Sequence, residues 1–354
     1  MHRIEHVAGN RIIESVDVHV CKLPASSCAM TIVEVRADGT TGLGYTYEPR
    51  AAKIVREILV DLVCCVDAFT LQAIHARMVD AIRRHHDPDL AAAALSAVDI
   101  ALWDLKARVL GVPLASLLGA AREQVVVCPC AGFASPRPDT LAGEVAEYAV
   151  RGHRRIAIAI DPIHALERIA ISRDAAGPDV ELVVDARSTF SAEGALALAD
   201  LLAPLGVTCF VDPIDVIDIT GLHWLRCRSP LSIASGRACV DLVALSNLVE
   251  AGAVDVLLVD ATRCLGITGF LAADALAAVH GIPIASYGAP AIHAHAGPAS
   301  ARHLHLTAPT EHARIEALLF DHLATVRRGN VVFDAARPGL GIELRRDEIQ
   351  CMAA

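Results

Sequence analysis

Ile156-Ala157-Ile158-Ala159-Ile160 is the stretch whose reading decides the fold. It is a short, continuous apolar run with no charge, the texture of a strand buried on both faces rather than one. Six comparable runs accompany it, at residues 125–127, 182–184, 207–211, 231–234, 254–259 and 282–285, with Ala- and Leu-rich helical texture between them. Recurrence at roughly 25-residue intervals predicts successive βα units of a parallel barrel. A doubly wound sheet shares this texture. It would usually carry a glycine-rich phosphate loop after its first strand, however, and none follows residues 125–127.

Upstream of these runs the pattern differs. Residues 12–20 alternate, residues 30–35 repeat the alternation before the turn Asp38-Gly39, and Gly42-Leu43-Gly44-Tyr45 leads into a third strand. Three antiparallel strands in a meander are predicted. Helical periodicity follows over about 51–84 and again over about 88–110, where Gly111-Val112-Pro113 stops it. The tail from 321 to 349 is irregular, with turns at Gly329-Asn330 and Arg337-Pro338-Gly339, and is expected to return to the first domain.

Composition narrows the function classes. The chain has 354 residues, 54% of them apolar, so it can bury a large core. Its formal net charge is −10 and its only lysines are Lys22, Lys53 and Lys106. An acidic chain without a basic run argues against a nucleic-acid partner. No stretch offers the roughly 18 consecutive apolar residues of a membrane span, and the start lacks a signal-peptide apolar region. The 11 cysteines have no framework spacing; reduced thiols in a cytoplasmic protein are the simplest reading.

Several motifs resemble the mandelate-racemase group of the enolase superfamily. The most specific is Ser96-Ala97-Val98-Asp99-Ile100-Ala101-Leu102-Trp103-Asp104-Leu105-Lys106, with Gly111-Val112-Pro113-Leu114 and Leu117-Leu118-Gly119 after it. Val183-Val184-Asp185-Ala186, Asp212-Pro213, Ile233-Ala234-Ser235-Gly236, Asp260-Ala261-Thr262-Arg263, His280-Gly281-Ile282-Pro283 and Pro338-Gly339-Leu340-Gly341-Ile342 follow in the family's order. The resemblance implies an α/β fold, a (β/α)7β TIM-like barrel with an α+β capping domain. The cap would span 1–121 and be completed by about 321–354, and the barrel would span 122–320. Relatives also suggest a homo-oligomer, a dimer or an octamer.

The resemblance further implies proton abstraction beside a carboxylate. In the family, Mg2+ on three carboxylates stabilises the enediolate, and a lysine or histidine takes the proton. Of these parts, Asp185 stands at the first metal position, but Val211 and Arg237 stand at the other two. Valine cannot ligate an ion, and arginine carries a fixed positive charge. Asp212 is expected to point away from Val211. The second-strand bases read Ala157 and Ala159. The sixth-strand aspartate is present as Asp260, but the seventh-strand histidine reads Tyr287. The acid near the eighth strand is either His305 or Glu316, depending on alignment. No tight Mg2+, and so no cofactor, is expected. Metal and base contribute several kcal/mol and about 10²–10⁴-fold respectively, so their joint loss should silence the ancestral reaction.

The main expectation is therefore a metal-independent or catalytically silent barrel. Arg237 would pair with Asp185, and with Asp212, where the ion would sit, and Arg237 and Arg263 would bind a small carboxylate. Two alternatives stand beside it. One is an Mg2+-dependent racemase or dehydratase of hydroxy acids or acid sugars, resting on Asp185, Asp260 and Glu316; separately, Tyr287 with Asp260 reads as a weak acid/base pair, although an unassisted tyrosine titrates near 10. The other is a non-catalytic structural or partner subunit. Residues 23–30 and 45–50 are the loops expected to cover the pocket. Arg187 is read either as a mouth charge or as surface. His293, His295, His303, His305 and His312 crowd one stretch and read as buried polar contacts before they read as a zinc site. Cys264 reads as apolar packing.

Overall fold

The computed structural model describes residues 11–22, 28–133 and 137–348. Strands β1 (Ser15–Lys22), β2 (Ala29–Ala37) and β3 (Thr40–Thr46) form the expected antiparallel meander in chain order. Asp38 and Gly39 both have positive φ, 50° and 68°, the conformation a tight hairpin needs to match strand twist. The single helix expected over 51–84 is two. α1 (residues 51–63) contains one π turn, and α2 is Leu71–Ile82. The chain leaves the helix at Cys64, in extended backbone, and Cys65 follows at φ 61°. The intervening loop bonds back to the chain start, with Ile13 N–H donating to Val66 O at 2.9 Å.

Helix α3 (Pro88–Val109) is the hinge pin between the cap and the rest. Asp87 caps it, accepting from Leu90 N at 3.0 Å, and proline occupies its first turn. The polar residues of its motif bond outward to three other parts of the chain. Asp99 accepts from Thr268 N and Oγ1 at 2.9 and 2.7 Å, and Ser96 Oγ accepts from Gly266 N. Trp103 Nε1 donates to Thr268 Oγ1 at 2.9 Å. Asp104, fully buried, accepts from Leu43 N at 2.7 Å, Leu340 N at 2.5 Å and Arg108 Nε at 2.6 Å. Each buried carboxylate is thus satisfied by groups from elements far apart in sequence.

Beyond the short α4 (Leu114–Leu117), the barrel strands are β4 (Val125–Ala131), β5 (Arg155–Ala159), β6 (Glu181–Asp185), β7 (Val207–Val211), β8 (Ser232–Ser235), β9 (Val256–Val259), β10 (Ile284–Tyr287) and β11 (His303–Ala308). All eight are parallel, neighbours in chain order, and β11 pairs with β4 to close the ring. Seven helices, one between each pair of strands, pack outside: α5 (Pro138–Val150), α6 (Ala165–Ala176), α7 (Ala192–Leu202), α8 (Ile219–Arg226), α9 (Leu242–Glu250), α10 (Gly266–Val279) and α11 (Pro290–Ala299). α12 (Thr310–Leu319) follows the last strand. Cys128, Cys130, Ala157, Val183, Val211, Ala234, Val256, Leu258 and Ala285 come from seven separate strands and meet as one buried cluster, which places them in the barrel interior. At the strand starts the interior ends in polar groups: Arg155 bonds Glu181 at 2.7 Å and His305 at 2.7 Å.

The tail does what was expected of it in part. β12 (Phe320–Asp321) pairs with β15 (Glu343–Leu344), while the hairpin of β13 (Thr325–Arg327) and β14 (Asn330–Val332) adds to the start of β4. Arg346 then reaches the cap, bonding Glu34 at 2.6 Å. No helix among the described residues is long and apolar enough to cross a membrane.

Candidate active site

Chemistry in such barrels belongs at the carboxyl ends of the strands. Asp185 ends β6, Val211 ends β7, and Arg237 lies two residues beyond β8. Arg237 meets Asp185 end-on, Nη1 to Oδ2 at 2.5 Å and Nη2 to Oδ1 at 2.9 Å. Its Nε takes Asp212 Oδ2 at 2.6 Å, and Ser235 Oγ donates to Asp212 Oδ1 at 2.6 Å. Asp212 does not point away, contrary to the strand-alternation expectation. It lies just past the strand end at φ 41°, and this left-handed turn carries its carboxylate into the mouth. The Asp185 side chain is 1% exposed and that of Arg237 15%. Burial opposes the guanidinium charge, but Asp212 and then Asp185 outweigh it and hold Arg237 above its ordinary range. Burial also pushes Asp212 up, against the pull of Arg237.

This donor set does not fit Mg2+. The guanidinium takes both oxygens of Asp185 and one of Asp212, and Ser235 takes the fourth. Val211 sits buried in the interior cluster and offers no oxygen. Magnesium needs hard oxygen ligands in near-octahedral array, and here a fixed cation stands among the carboxylates instead. Ala157 and Ala159, the positions of the second-strand bases, are buried methyl groups.

Tyr287 roofs the ion pair. Its ring lies 4.5 Å from the Arg237 guanidinium carbon, a cation–π contact. On the cap side a cleft of ≈180 Å³ is lined by Thr46, Tyr47, Asp260, Arg263, Tyr287 and His312, with Glu48, Asp89 and Ala93 at its margin. Arg237 and Arg263, expected to bind one anion together, are therefore not brought together: Arg237 is taken up by its carboxylates, and Arg263 faces the cleft. Arg263 Nη2 lies 3.5 Å from Asp89, and its Nε is buried without an acceptor. A larger groove of ≈650 Å³ runs between α2, the start of α3 and residues 240–243. It lies off the strand ends and its walls are mainly apolar.

Asp260 and Tyr287 share the cleft. Asp260 Oδ1 accepts from Thr262 N at 2.8 Å and Oγ1 at 2.7 Å, and Oδ2 accepts nothing from the described residues. Burial raises the Asp260 carboxyl, although His293 nearby pulls the other way. Burial likewise raises the Tyr287 phenol, which keeps it protonated at neutral pH. Glu316 and His305 have different surroundings. His305 lies beside Arg155 at the strand starts. Glu316 lies against the cap, accepting from Tyr45 OH at 2.5 Å, Tyr47 OH at 2.8 Å and Ala291 N at 3.1 Å. Burial pushes Glu316 up to about 7.

The remaining candidates resolve simply. His293 bonds Gly288 O and Ala261 N, His295 bonds Leu340 O and Ala115 N, and His303 bonds Ser286. Among the described residues no group of three or more His, Cys, Asp or Glu side chains is arranged to hold a metal. Cys264 is buried packing. Arg187 lies over Phe133 at 5.7 Å. Of the covering loops, 45–50 contributes Thr46, Tyr47 and Glu48, while 23–27 lies outside the described residues. His312 went unread as a cleft residue; the only signal for it was its place in the histidine-rich stretch.

A cap over a closed parallel barrel, with aspartates at the ends of the sixth and third strands, defines an enolase-type protein. The sequence matches two family descriptions, "Mandelate racemase / muconate lactonizing enzyme, N-terminal domain" over residues 13–119 and "Enolase C-terminal domain-like" over 140–348. The chain belongs to the mandelate racemase/muconate lactonizing enzyme family of the enolase superfamily. It is 30% identical to the L-talarate/galactarate dehydratase of Salmonella typhimurium, over 77% of this chain and 71% of that one. A solved mandelate racemase/muconate lactonizing enzyme-like protein from Rubrobacter xylanophilus superposes with a TM-score of 0.93 at 37% identity, covering 97% of this chain and 100% of that one. A racemase from Streptomyces coelicolor solved with bound magnesium superposes at 0.90 and 25% identity, with 97% and 100% coverage.

Proposed function

We propose that this chain binds a small hydroxy acid or acid sugar in the cleft between cap and barrel and acts on it beside the carboxylate, as a racemase, dehydratase or cycloisomerase does. Arg237 would stand in for the divalent ion. The observation that carries this is the cleft itself: a cation at Arg263, a carboxylate oxygen of Asp260 without a hydrogen-bond partner, and a protonated phenol at Tyr287 line one small cavity at the strand ends. The activity in the name of the Salmonella relative supports the enzymatic reading over a silent barrel.

In this reading the Arg263 guanidinium, which lines the cleft, receives the substrate carboxylate. Asp260 Oδ2 accepts the proton from the neighbouring carbon, helped by a carboxyl already raised by burial. The new negative charge on the carboxylate oxygens faces Arg263 and the Tyr287 hydroxyl. The buried Asp185–Arg237–Asp212 cluster keeps the mouth rigid beneath. A dimer or octamer in the cytoplasm completes the proposal.

One observation favours a second reading, a silent or purely structural barrel: the chain's three lysines all precede β4, so none can serve as a base on a barrel strand. Proton NMR in D2O with galactarate, gluconate and mandelate separates the two. The enzymatic reading expects α-proton exchange or product, unaffected by EDTA and lost in Asp260→Asn. Binding without any exchange supports the silent barrel. Exchange that EDTA stops overturns the role given to Arg237.

A further inference from the structure

The seventh-strand histidine of the family is tyrosine here, yet the cleft contains an imidazole delivered from another element. His312 lies in the first turn of α12, after the eighth strand, and lines the cleft beside Asp260, Arg263 and Tyr287. Two features hold it there. Tyr47 of the cap stacks flat on its ring, centroids 3.5 Å apart and planes 15° apart. Gly288, next after Tyr287, makes the room: a Cβ at that residue would lie 2.6 Å from His312 Nδ1 and 3.9 Å from Asp260 Oδ2. Its φ of 68° also suits glycine. The imidazole thus fills the space beside the Asp260 carboxylate that a side chain at 288 would otherwise occupy.

The orientation of the ring follows from its neighbours. Ala289 N–H points to Nδ1 at 3.4 Å, which makes Nδ1 the acceptor and leaves the proton on Nε2. Nε2 has no hydrogen-bond partner among the described residues, and the ring that carries it lines the cleft. Burial keeps the ring neutral at ordinary pH. Arg263 lines the same cleft, with its Nε buried and without an acceptor. The His312 ring and the Asp260 Oδ2 oxygen therefore share a cavity with no hydrogen-bond partner for either Nε2 or Oδ2 among the described residues.

We propose that His312 is a ligand-contacting residue whose Nε2–H donates to a carboxylate or hydroxyl oxygen of the hydroxy acid held by Arg263. This rests on the hydroxy-acid reading above. It adds that the contact comes from α12 rather than from the seventh strand.

Calorimetry with galactarate, gluconate and mandelate tests it on wild type, His312→Asn and His312→Gln. The glutamine amide nitrogen falls near the Nε2 position and the asparagine nitrogen near Nδ1, so only glutamine retains the donor. Loss of a hydrogen bond to a charged or strongly polar ligand predicts weakening of about tenfold or more in His312→Asn, and about threefold or less in His312→Gln. Nitrogen-15 NMR of the imidazole should report the Nε2–H tautomer between pH 5 and 8, with Nε2 shifting on addition of the acid that binds. Wild-type binding that His312→Asn leaves unchanged, or a Nδ1–H tautomer, overturns the role of His312 alone. Failure of the wild type to bind any of the three acids overturns the hydroxy-acid reading and this one with it.

Discussion

Glu316 joins the cap to the barrel through a single carboxylate that accepts from two tyrosines and one backbone N–H. Burial lifts its pKa from 4.5 to about 7, so the folded state holds the proton more tightly than the unfolded chain. The sign follows. This contribution to stability is fully present below the unfolded value and is lost as pH rises through about 7. The two limits differ by about 3 kcal/mol. Urea unfolding at pH 5, 6, 7 and 8 should show wild-type stability falling with pH relative to Glu316→Gln; parallel curves would remove Glu316 as the cause. Residues also show where reading a sequence stops. The pairing of Arg237 with Asp185 was legible, because a guanidinium at one metal-ligand position and a surviving carboxylate at another attract. Pairing with Asp212 was expected on the same ground of charge, but strand alternation aimed that side chain away, and the left-handed turn at φ 41° is what brings it to Arg237.

α3 and β3 illustrate the scale of elements. Gly42 and Gly44 let β3 lie directly on α3: a Cβ on Gly44 would overlap the Ala97 carbonyl oxygen and the Ala101 nitrogen, which are backbone and cannot swing aside. Gly44→Ala should therefore destabilise by about 1–3 kcal/mol through overpacking. Chemical denaturation measures this, and a change below about 0.5 kcal/mol would contradict the close approach. The sequence pattern predicted the three-strand meander and α3 because their periods are strong and their ends carry turn and cap residues. It ran α1 and α2 together because apolar spacing continues through Cys64 and Cys65, where the backbone turns out of the helix. It also left His312 unplaced. That contact depends on an aromatic from the cap, a glycine after the seventh strand and a helix after the eighth, three segments that no local spacing connects.

At the scale of the whole molecule, seven apolar runs of regular spacing were enough to foresee a parallel barrel, and a motif on one helix was enough to foresee its cap. The eighth strand was fainter, since β11 carries His303 and His305 among its apolar residues. Function was less legible than fold, because family membership brings Mg2+ chemistry with it while the strand ends of this chain bring a guanidinium. The central claim is that Arg237 occupies the place of the metal among Asp185 and Asp212. The direct measurement is Mg2+ calorimetry with parallel melting curves, on the wild type and on the double variant Val211→Glu, Arg237→Glu, which restores two carboxylates at the strand ends. An ion that binds only the folded state must raise its melting temperature. The wild type should give no heat of binding and an unchanged melting temperature with millimolar Mg2+ or EDTA, while the double variant gains both binding and stabilisation by Mg2+. Micromolar Mg2+ binding by the wild type, or a fall in its melting temperature on adding EDTA, would contradict the account.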